Sequence, residues 1–288
     1  MNKVLVLGST GLLGSNLLKY FSIKSNFECF GIIRKNSDKK KIKYIKNIKL
    51  YKIDFDKPSN FRKVFNKIKP NTIINCIGVV KQVFNNNKKS EIIRVNSYLP
   101  HFLSELVSKN NKIRLIHFST DCVFSGLKGN YSENDIVDAN DIYAVSKILG
   151  EVNYPNTLTL RTSIIGHELK TKHSLLNWFL SQKKSIKGYR NAIFSGLTTP
   201  EIARVLAKYV IPNKKLKGIY HLSGKPISKY DLLYIIKKVY KKEIKILPDL
   251  KIKINRSLNS KLFKKVTGYK PPTWNKLIQE MYDFYKYS

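Results

Sequence analysis

KVLVLGSTGLLGSNLL, residues 3–18, decides how the rest of the chain is read. An apolar run of strand length (3–8) ends in Gly8, glycines recur at Gly11 and Gly14, and an amphipathic segment (11–22) follows at once. Strand, glycine turn and helix in that order are the context in which this spacing carries meaning. Gly8 permits a tight turn, Gly11 lets a pyrophosphate approach the backbone, and Gly14 lets the helix lie close to the strand. Thr10, Leu12 and Leu13 complete the turn, and the free amides of a helix N-terminus suit phosphate. A nucleotide cofactor is the expected ligand.

Outward from this turn, strand-like runs near 28–33, 49–54, 72–77, 113–118 and 157–163 alternate with helix-like segments near 58–68, 91–109 and 143–153. That alternation predicts an α/β fold of Rossmann type, a doubly wound parallel sheet covered by helices on both faces. Beyond residue 166 the pattern loosens, with helices expected at 174–183, 199–210, 228–240 and 274–286 and short strands near 192–195, 218–222 and 244–247. The expected division is a dinucleotide-binding domain over 1–166 and a smaller mixed α/β, substrate-binding lobe over 167–288.

The chain carries 54 Lys+Arg against 19 Asp+Glu, a formal charge of +35. The lysines are dispersed, without an arginine-rich tail or a nucleic-acid motif, so neither a nucleic-acid nor an anionic-membrane partner is expected; the positive field would attract an anionic substrate. Three cysteines without metal-ligand spacing, no signal-peptide pattern and no apolar run of membrane-span length make the cytoplasm the expected location. His101, His117, His167 and His221 form no metal spacing, and His117, inside an apolar strand, reads as a satisfied core histidine; no metal is expected.

The ends of the strands give the next candidates. Arg34 and Lys35 close the second strand, where a basic residue accommodates the extra phosphate of NADP; NADP(H) is therefore favoured and NAD(H) left open. Asp54 follows the third strand as a candidate contact to adenine, and Cys76-Ile77-Gly78 end the fourth, where small residues let a dinucleotide cross the sheet edge. The stretch STDCVFSGLKGNYSENDIVDANDIYAVSK (119–147) opens at the end of the fifth strand and closes with Tyr143 and Lys147 four residues apart on one helix face. The Lys147 ammonium beside the Tyr143 phenol would favour the phenolate, Tyr143 would give a proton to a carbonyl oxygen, and Thr120 would hold the same oxygen.

The glycine turn, Asn96, Ser119-Thr120-Asp121 and Tyr143-x-x-x-Lys147 together resemble an extended short-chain dehydrogenase/reductase. More narrowly, STD-x-VF-x-G, Glu133 and Asp135, the Lys-Ile-Leu-Gly-Glu after Tyr143, and Leu160-Arg161-Thr162-Ser163 are similar to dTDP-4-dehydrorhamnose reductases. The resemblance implies NAD(P)H-dependent reduction of the 4-keto group of a nucleotide-diphospho-6-deoxysugar, in sugar-nucleotide and surface-polysaccharide biosynthesis. It makes Tyr143 the general acid, Lys147 a ligand of the nicotinamide ribose, Thr120 the carbonyl-positioning residue, Asn96 the support of a proton-relay water and Ser119 a cofactor neighbour. Two positions depart from the pattern: Cys122 and Ile164 stand where a tyrosine and a tryptophan are expected. Cys122 with His173 resembles instead the cysteine–histidine pair of GDP-fucose synthases, which implies an epimerase/reductase as the alternative. The substrate pocket is expected from Cys122, Val123, Phe124, Ser163, Ile164, Ile165, His173, Trp178, Lys187, Arg190 and Ser195, the basic members facing a diphosphate. A non-catalytic, dinucleotide-binding partner subunit is a further alternative, and a homodimer is left open.

Overall fold

The computed structural model describes residues 1–53, 58–80, 89–108, 110, 112–169 and 171–287. Asp54 lies outside them.

The first half alternates as expected: β1 (Asn2–Leu7), α1 (Leu12–Ser22), β2 (Phe27–Ile33), β3 (Ile48–Lys52), α2 (Pro58–Ile68) and β4 (Thr72–Asn75). It continues through α3 (Lys89–Ile93), α4 (Leu99–Ser108), β5 (Arg114–Thr120), α5 (Ile142–Leu149) and β6 (Thr157–Thr162). Its strands join a seven-stranded sheet ordered β11-β6-β5-β4-β1-β2-β3, parallel throughout, whose last member β11 is Gly218–His221. Strand β1 shows why the sheet is doubly covered. Val4 and Val6 point into a core with Leu17, Leu18 and Phe21 of α1, and Leu5 and Leu7 into a second core with Phe61, Phe102 and Leu103. Each such side chain, removed from water, contributes about 1.5–3 kcal/mol. A strand buried on both faces reads as a continuous apolar run, not an alternating one.

The glycine turn behaves as its spacing requires. Gly8 has φ +78°, and a Cβ on Gly14 would sit 2.2 Å from the Gly8 carbonyl oxygen. Helix α1 therefore starts against the end of β1, with no side-chain cap and no acidic residue in its first turn. Its leading amides stay available at the point where the strand order reverses between β1 and β4, the place where open α/β sheets bind ligands.

The single helix expected over 91–109 is interrupted: Arg94–Tyr98 form a wider π turn between α3 and α4. Pro100 supplies the reason, since it has no N–H to return to the carbonyl four residues earlier, and the Leu99 N–H bonds the Arg94 carbonyl instead.

The second half comprises β7 (Ile164–Ile165), α6 (Leu175–Ser181), β8 (Ser185–Tyr189), β9 (Ala192–Phe194), β10 (Leu197–Thr198) and α7 (Thr199–Val205). After β11 come β12 (Ile227–Ser228), α8 (Lys229–Val239), β13 (Lys245–Asp249), β14 (Ile254–Asn255), α9 (Lys261–Thr267) and α10 (Trp274–Tyr287). The strand expected near 218–222 as part of the lobe is instead the edge of the main sheet, pairing Gly218 with Leu158 and His221 with Arg161. Helix α7 likewise packs on α1, placing Ile202 and Val205 in the same core as Leu17. Strand β8 and helix α9 are absent from the sequence reading. The exposed faces of both are lysine-rich, which hides a single buried stripe: Ile186 and Gly188 in β8, Phe263 in α9.

Candidate active site

At the carboxyl ends of β1, β2 and β4 lies a cleft of about 480 Å³, lined among others by Gly8, Thr10, Gly11, Arg34, Cys76, Ile77 and Gly78. Six strand-end and turn positions expected to meet a dinucleotide thus share one cavity with Arg34. Leu12, Leu13 and Gly14 do not line it; Leu13 is in the core and Gly14 serves the strand–helix approach. Lys35, Asp38 and Lys41 join Arg34 at the β2 end. Asp38 accepts a hydrogen bond from the Lys35 N–H at 3.0 Å and pairs with Lys41 at 2.5 Å. Burial raises its carboxyl, but the Lys41 and Lys35 hydrogen bonds outweigh that and hold it below the usual carboxylate range. The rim at this end is basic with one neutralised acid. The sequence signal for it was present, an acid four residues beyond Arg34, but the short 3-10 helix over Asn36–Lys41 that turns it inward was not.

Asn96 is placed differently from expectation. In the π turn its Oδ1 accepts the Val79 N–H at 2.9 Å, while its Nδ2 donates to the Val79 carbonyl at 3.0 Å and to Ser146 Oγ at 3.1 Å. Its amide is a clamp between the segment after β4 and α5. Ser119, expected beside the cofactor, turns away and donates to Glu151 Oε1 at 2.6 Å.

The turn after β5 gathers the reactive groups. Asp141 caps α5 by accepting the Ala144 N–H, which sets Tyr143 in the first turn of that helix. Thr120 accepts the Cys122 N–H at 3.1 Å and donates from its hydroxyl to Asp121 Oδ1 at 3.2 Å, with the Tyr143 phenol close enough to feel it. Lys147 is 5% exposed and donates from Nζ to the Phe118 carbonyl at 2.7 Å. Burial lowers its amine to about 8, with the Glu151 carboxylate opposing. The Tyr143 phenol shifts the opposite way from the expectation: burial and the nearby Cys122 raise it, and the Thr120 hydrogen bond only partly opposes. The Lys147 ammonium is committed to a backbone carbonyl, so it does not draw out the phenolate. A tyrosine that keeps its proton at neutral pH is the form an acid catalyst requires.

Behind this turn lies a buried ion pair. Arg161 donates to Glu151 at 2.8 and 2.6 Å from Nε and Nη2, both side chains 6% exposed, and Arg161 Nη1 reaches His221 Nε2 at 3.3 Å. Both residues lie in motifs visible in sequence, but nothing there pairs them. His117 is buried with Nδ1 accepting from the Asn75 amide at 3.1 Å; its Nε2 has no partner among the described residues, so the expected satisfaction is half complete.

The substrate-side expectations fare unevenly. Cys122 Sγ lies 3.7 Å from Arg256 Nη1, and Arg256 Nε donates to the Phe124 carbonyl at 2.8 Å. Burial and Asp121 push the Cys122 thiol up to about 11 despite Thr120 and Arg256. His173 is exposed, its N–H donating to Glu168, and among the described residues no contact joins it to Cys122. The thiolate–imidazole pair of the epimerase alternative is not assembled. Val123 and Phe124 are fully buried with Tyr131 and Leu258, Phe124 stacked on Tyr131 at 4.2 Å. They support the turn from below instead of lining a pocket. Ser163 is partly buried, its carbonyl accepting the Leu197 N–H, and Ile165 is buried in the core beside the half-buried Ile164. Ser195 is buried and accepts the Leu258 N–H. Trp178, on α6, is 37% exposed. Lys187 is exposed and pairs with Asp249 at 3.7 Å, and the Arg190 guanidinium lies 4.2 Å above the Tyr230 ring. Neither contacts the catalytic turn. Arg256, which does reach that turn, sits 134 positions from Cys122 in sequence and was missed, because only folding brings the two together.

Comparison with known proteins agrees with the fold. The structure superposes on a dTDP-4-dehydrorhamnose reductase ortholog from Clostridium acetobutylicum with a TM-score of 0.79, at 20% identity and with 99% of each chain covered. It superposes on the dTDP-4-dehydrorhamnose reductase of Bacillus anthracis, solved with NADP, with a TM-score of 0.78, at 17% identity, covering 98% of this chain and 99% of that one. Among curated proteins it is similar to methionine adenosyltransferase 2 subunit beta of Danio rerio, 25% identical over 246 residues, 80% of this chain and 71% of the relative. The family described as RmlD substrate binding domain matches residues 1–287, and the chain belongs to that family.

Proposed function

We propose that this protein is an NAD(P)H-dependent reductase of the 4-keto group of a nucleotide-diphospho-6-deoxysugar, with NADPH the preferred reductant. The observation that carries the reading is the pairing of the Thr120 and Tyr143 hydroxyls at the carboxyl end of β5, with Lys147 anchored one helical turn away. The family supports it, as does the intact glycine turn.

The residues fit a dinucleotide. Gly8, Thr10 and Gly11 would hold the pyrophosphate at the uncapped start of α1, and Arg34 with Lys35 would take the ribose phosphate of NADP. The bound reduced cofactor supplies a hydride. A substrate carbonyl oxygen placed between Thr120 and Tyr143 would draw the Thr120 hydroxyl from Asp121; Tyr143 O–H delivers its proton there, and Thr120 fixes the oxygen's direction. Lys147, held by the Phe118 carbonyl, presents its charge to the nicotinamide ribose side. Arg256, tied to Phe124 and Cys122 along one edge, stands in for Lys187 and Arg190 as a cation for the substrate diphosphate. On this reading residues 1–166 bind the dinucleotide and carry the acid, and 167–288 bind the sugar nucleotide. Among the described residues no helix is long and apolar enough to span a membrane, and a cytoplasmic place in polysaccharide-precursor synthesis goes with the reading.

The test follows oxidation of NADPH, and of NADH in parallel, against dTDP-, GDP- and UDP-linked 4-keto-6-deoxysugars, with Tyr143→Phe as control. Turnover abolished in the variant is the expected result. Tight NADPH binding with no turnover on any of these substrates would overturn the reductase in favour of a non-catalytic partner subunit.

A further inference from the structure

The lysines of the second half have a use that catalysis leaves unassigned. Strands β8 and β13 form a two-stranded parallel ribbon separate from the main sheet, with Lys245 opposite Ser185 and Leu247 opposite Lys187. Strand alternation sends Ile186, Gly188 and Ile246 inward against Tyr230 of α8, and Ser185, Lys187, Lys245 and Leu247 outward. Beside the ribbon, Lys184, Lys237, Lys238, Lys241, Lys242 and Lys245 line an open depression in which Glu243 is the one acid. Along the ribbon and past its end, aliphatic side chains are exposed: Leu247 in β13 is 40%, and in the following loop Leu250 is 65% and Ile252 46% exposed, interleaved with Lys251 and Lys253.

We propose that this ribbon and the end of α8 dock on the surface of an anionic phospholipid bilayer. Ammonium groups on flexible stems neutralise lipid phosphates, and exposed leucine and isoleucine between them enter the headgroup–acyl boundary. The alternative polyanion, nucleic acid, is read by arginine forks and aromatic stacking platforms. Here Arg190 is laid over Tyr230 and Lys238 over the half-exposed Tyr234 of α8, and the apolar groups exposed on the ribbon and the loop after it are aliphatic. Lys187 is the weakest member, because Asp249 lies 3.7 Å from it. The contact is peripheral and sits apart from the dinucleotide cleft, none of whose lining residues it uses.

A formal charge of +35 attracts any anionic surface weakly, so the test must separate place from charge. Co-sedimentation of the full chain with vesicles of phosphatidylcholine, and of phosphatidylcholine with phosphatidylglycerol, is compared for two triple variants of equal charge change. Lys237→Glu/Lys241→Glu/Lys245→Glu alters the ribbon edge; Lys112→Glu/Lys214→Glu/Lys217→Glu alters a depression elsewhere, beside the amino ends of β1, β4 and β5. Circular dichroism and thermal melting establish that both fold. The expected result is binding that needs phosphatidylglycerol and falls at least about tenfold in the ribbon variant, against less than about threefold in the other. A Leu250→Ser/Ile252→Ser variant is expected to lose the part of binding that survives high salt. Equal losses in the two charge variants, no binding to phosphatidylglycerol vesicles, or displacement from them by duplex DNA at equal charge concentration would each overturn the proposal.

Discussion

The two sides of the site are built differently. The side proposed for the dinucleotide is the more local: Gly8, Thr10 and Gly11 lie within four residues of one another, and the rest of its lining follows in chain order from the ends of β2 and β4, the 3-10 turn after β2 and the helical segment 91–102. The substrate side is assembled across the chain, with Cys122 meeting Arg256 and Ser195 meeting Leu258. A local motif must satisfy backbone geometry that few residues allow, so it shows in sequence. A long-range pair needs only complementary chemistry, which lysine- and serine-rich segments offer at many positions.

Breaking either side should leave different signatures. The largest effect is expected from Tyr143→Phe, which removes the acid and lowers kcat by roughly 10²–10⁴-fold with NADPH affinity unchanged, as read by steady-state kinetics and dinucleotide titration. Glu151→Gln leaves Arg161 buried without its countercharge, and chemical denaturation should show a loss of about 3–5 kcal/mol. Arg34→Ser, on the local side, should weaken NADPH binding about tenfold while leaving NADH within experimental scatter. Equal effects on both cofactors would detach Arg34 from the ribose phosphate.

Lys147 gives a pH signature. Its amine lies near 8 in the fold, below the ordinary 10.5, so between those values the unfolded chain holds a proton that the folded chain has released. Stability should therefore rise with pH across that window, and Lys147→Met should flatten this rise in denaturation midpoints. The smallest effect is expected from Cys122→Ser. With a thiol pushed up to about 11 and no histidine partner, the variant should keep kcat within about twofold, and wild type should place no solvent deuterium on the carbons flanking the keto group. Deuterium incorporation lost in the variant would restore the epimerase.

The legibility of this chain follows the same division. Strands buried on both faces read as apolar runs, continuous from Val4 to Leu7 in β1 and broken by His117 in β5, and their helices are amphipathic, so the doubly wound sheet was readable. Tyr143 and Lys147 were readable together because i and i+4 positions share a helix face, and Thr120 because it ends a strand. Their electrostatics were not: the sequence shows Lys147 near Tyr143 but not the Phe118 carbonyl that engages it. Likewise Asn96 advertised an amide, and only the π turn caused by Pro100 showed that its three hydrogen bonds are already made. Lys187 and Arg190 were misplaced for a simpler reason: where one residue type is abundant, its presence says little about where it points.

Strand β11 bears on how the molecule comes into being. The chain leaves the sheet after Thr162 and returns to it only at Gly218, where the new strand covers an edge formed by β6, a strand buried along its whole length. A nascent chain on the ribosome therefore carries an unpaired hydrogen-bonding edge for more than fifty residues of synthesis, and a fragment cut at residue 166 would carry it permanently. The half proposed to grip substrate also closes the sheet of the half proposed to grip cofactor, so neither is expected to be a module that can be exchanged or expressed without the other.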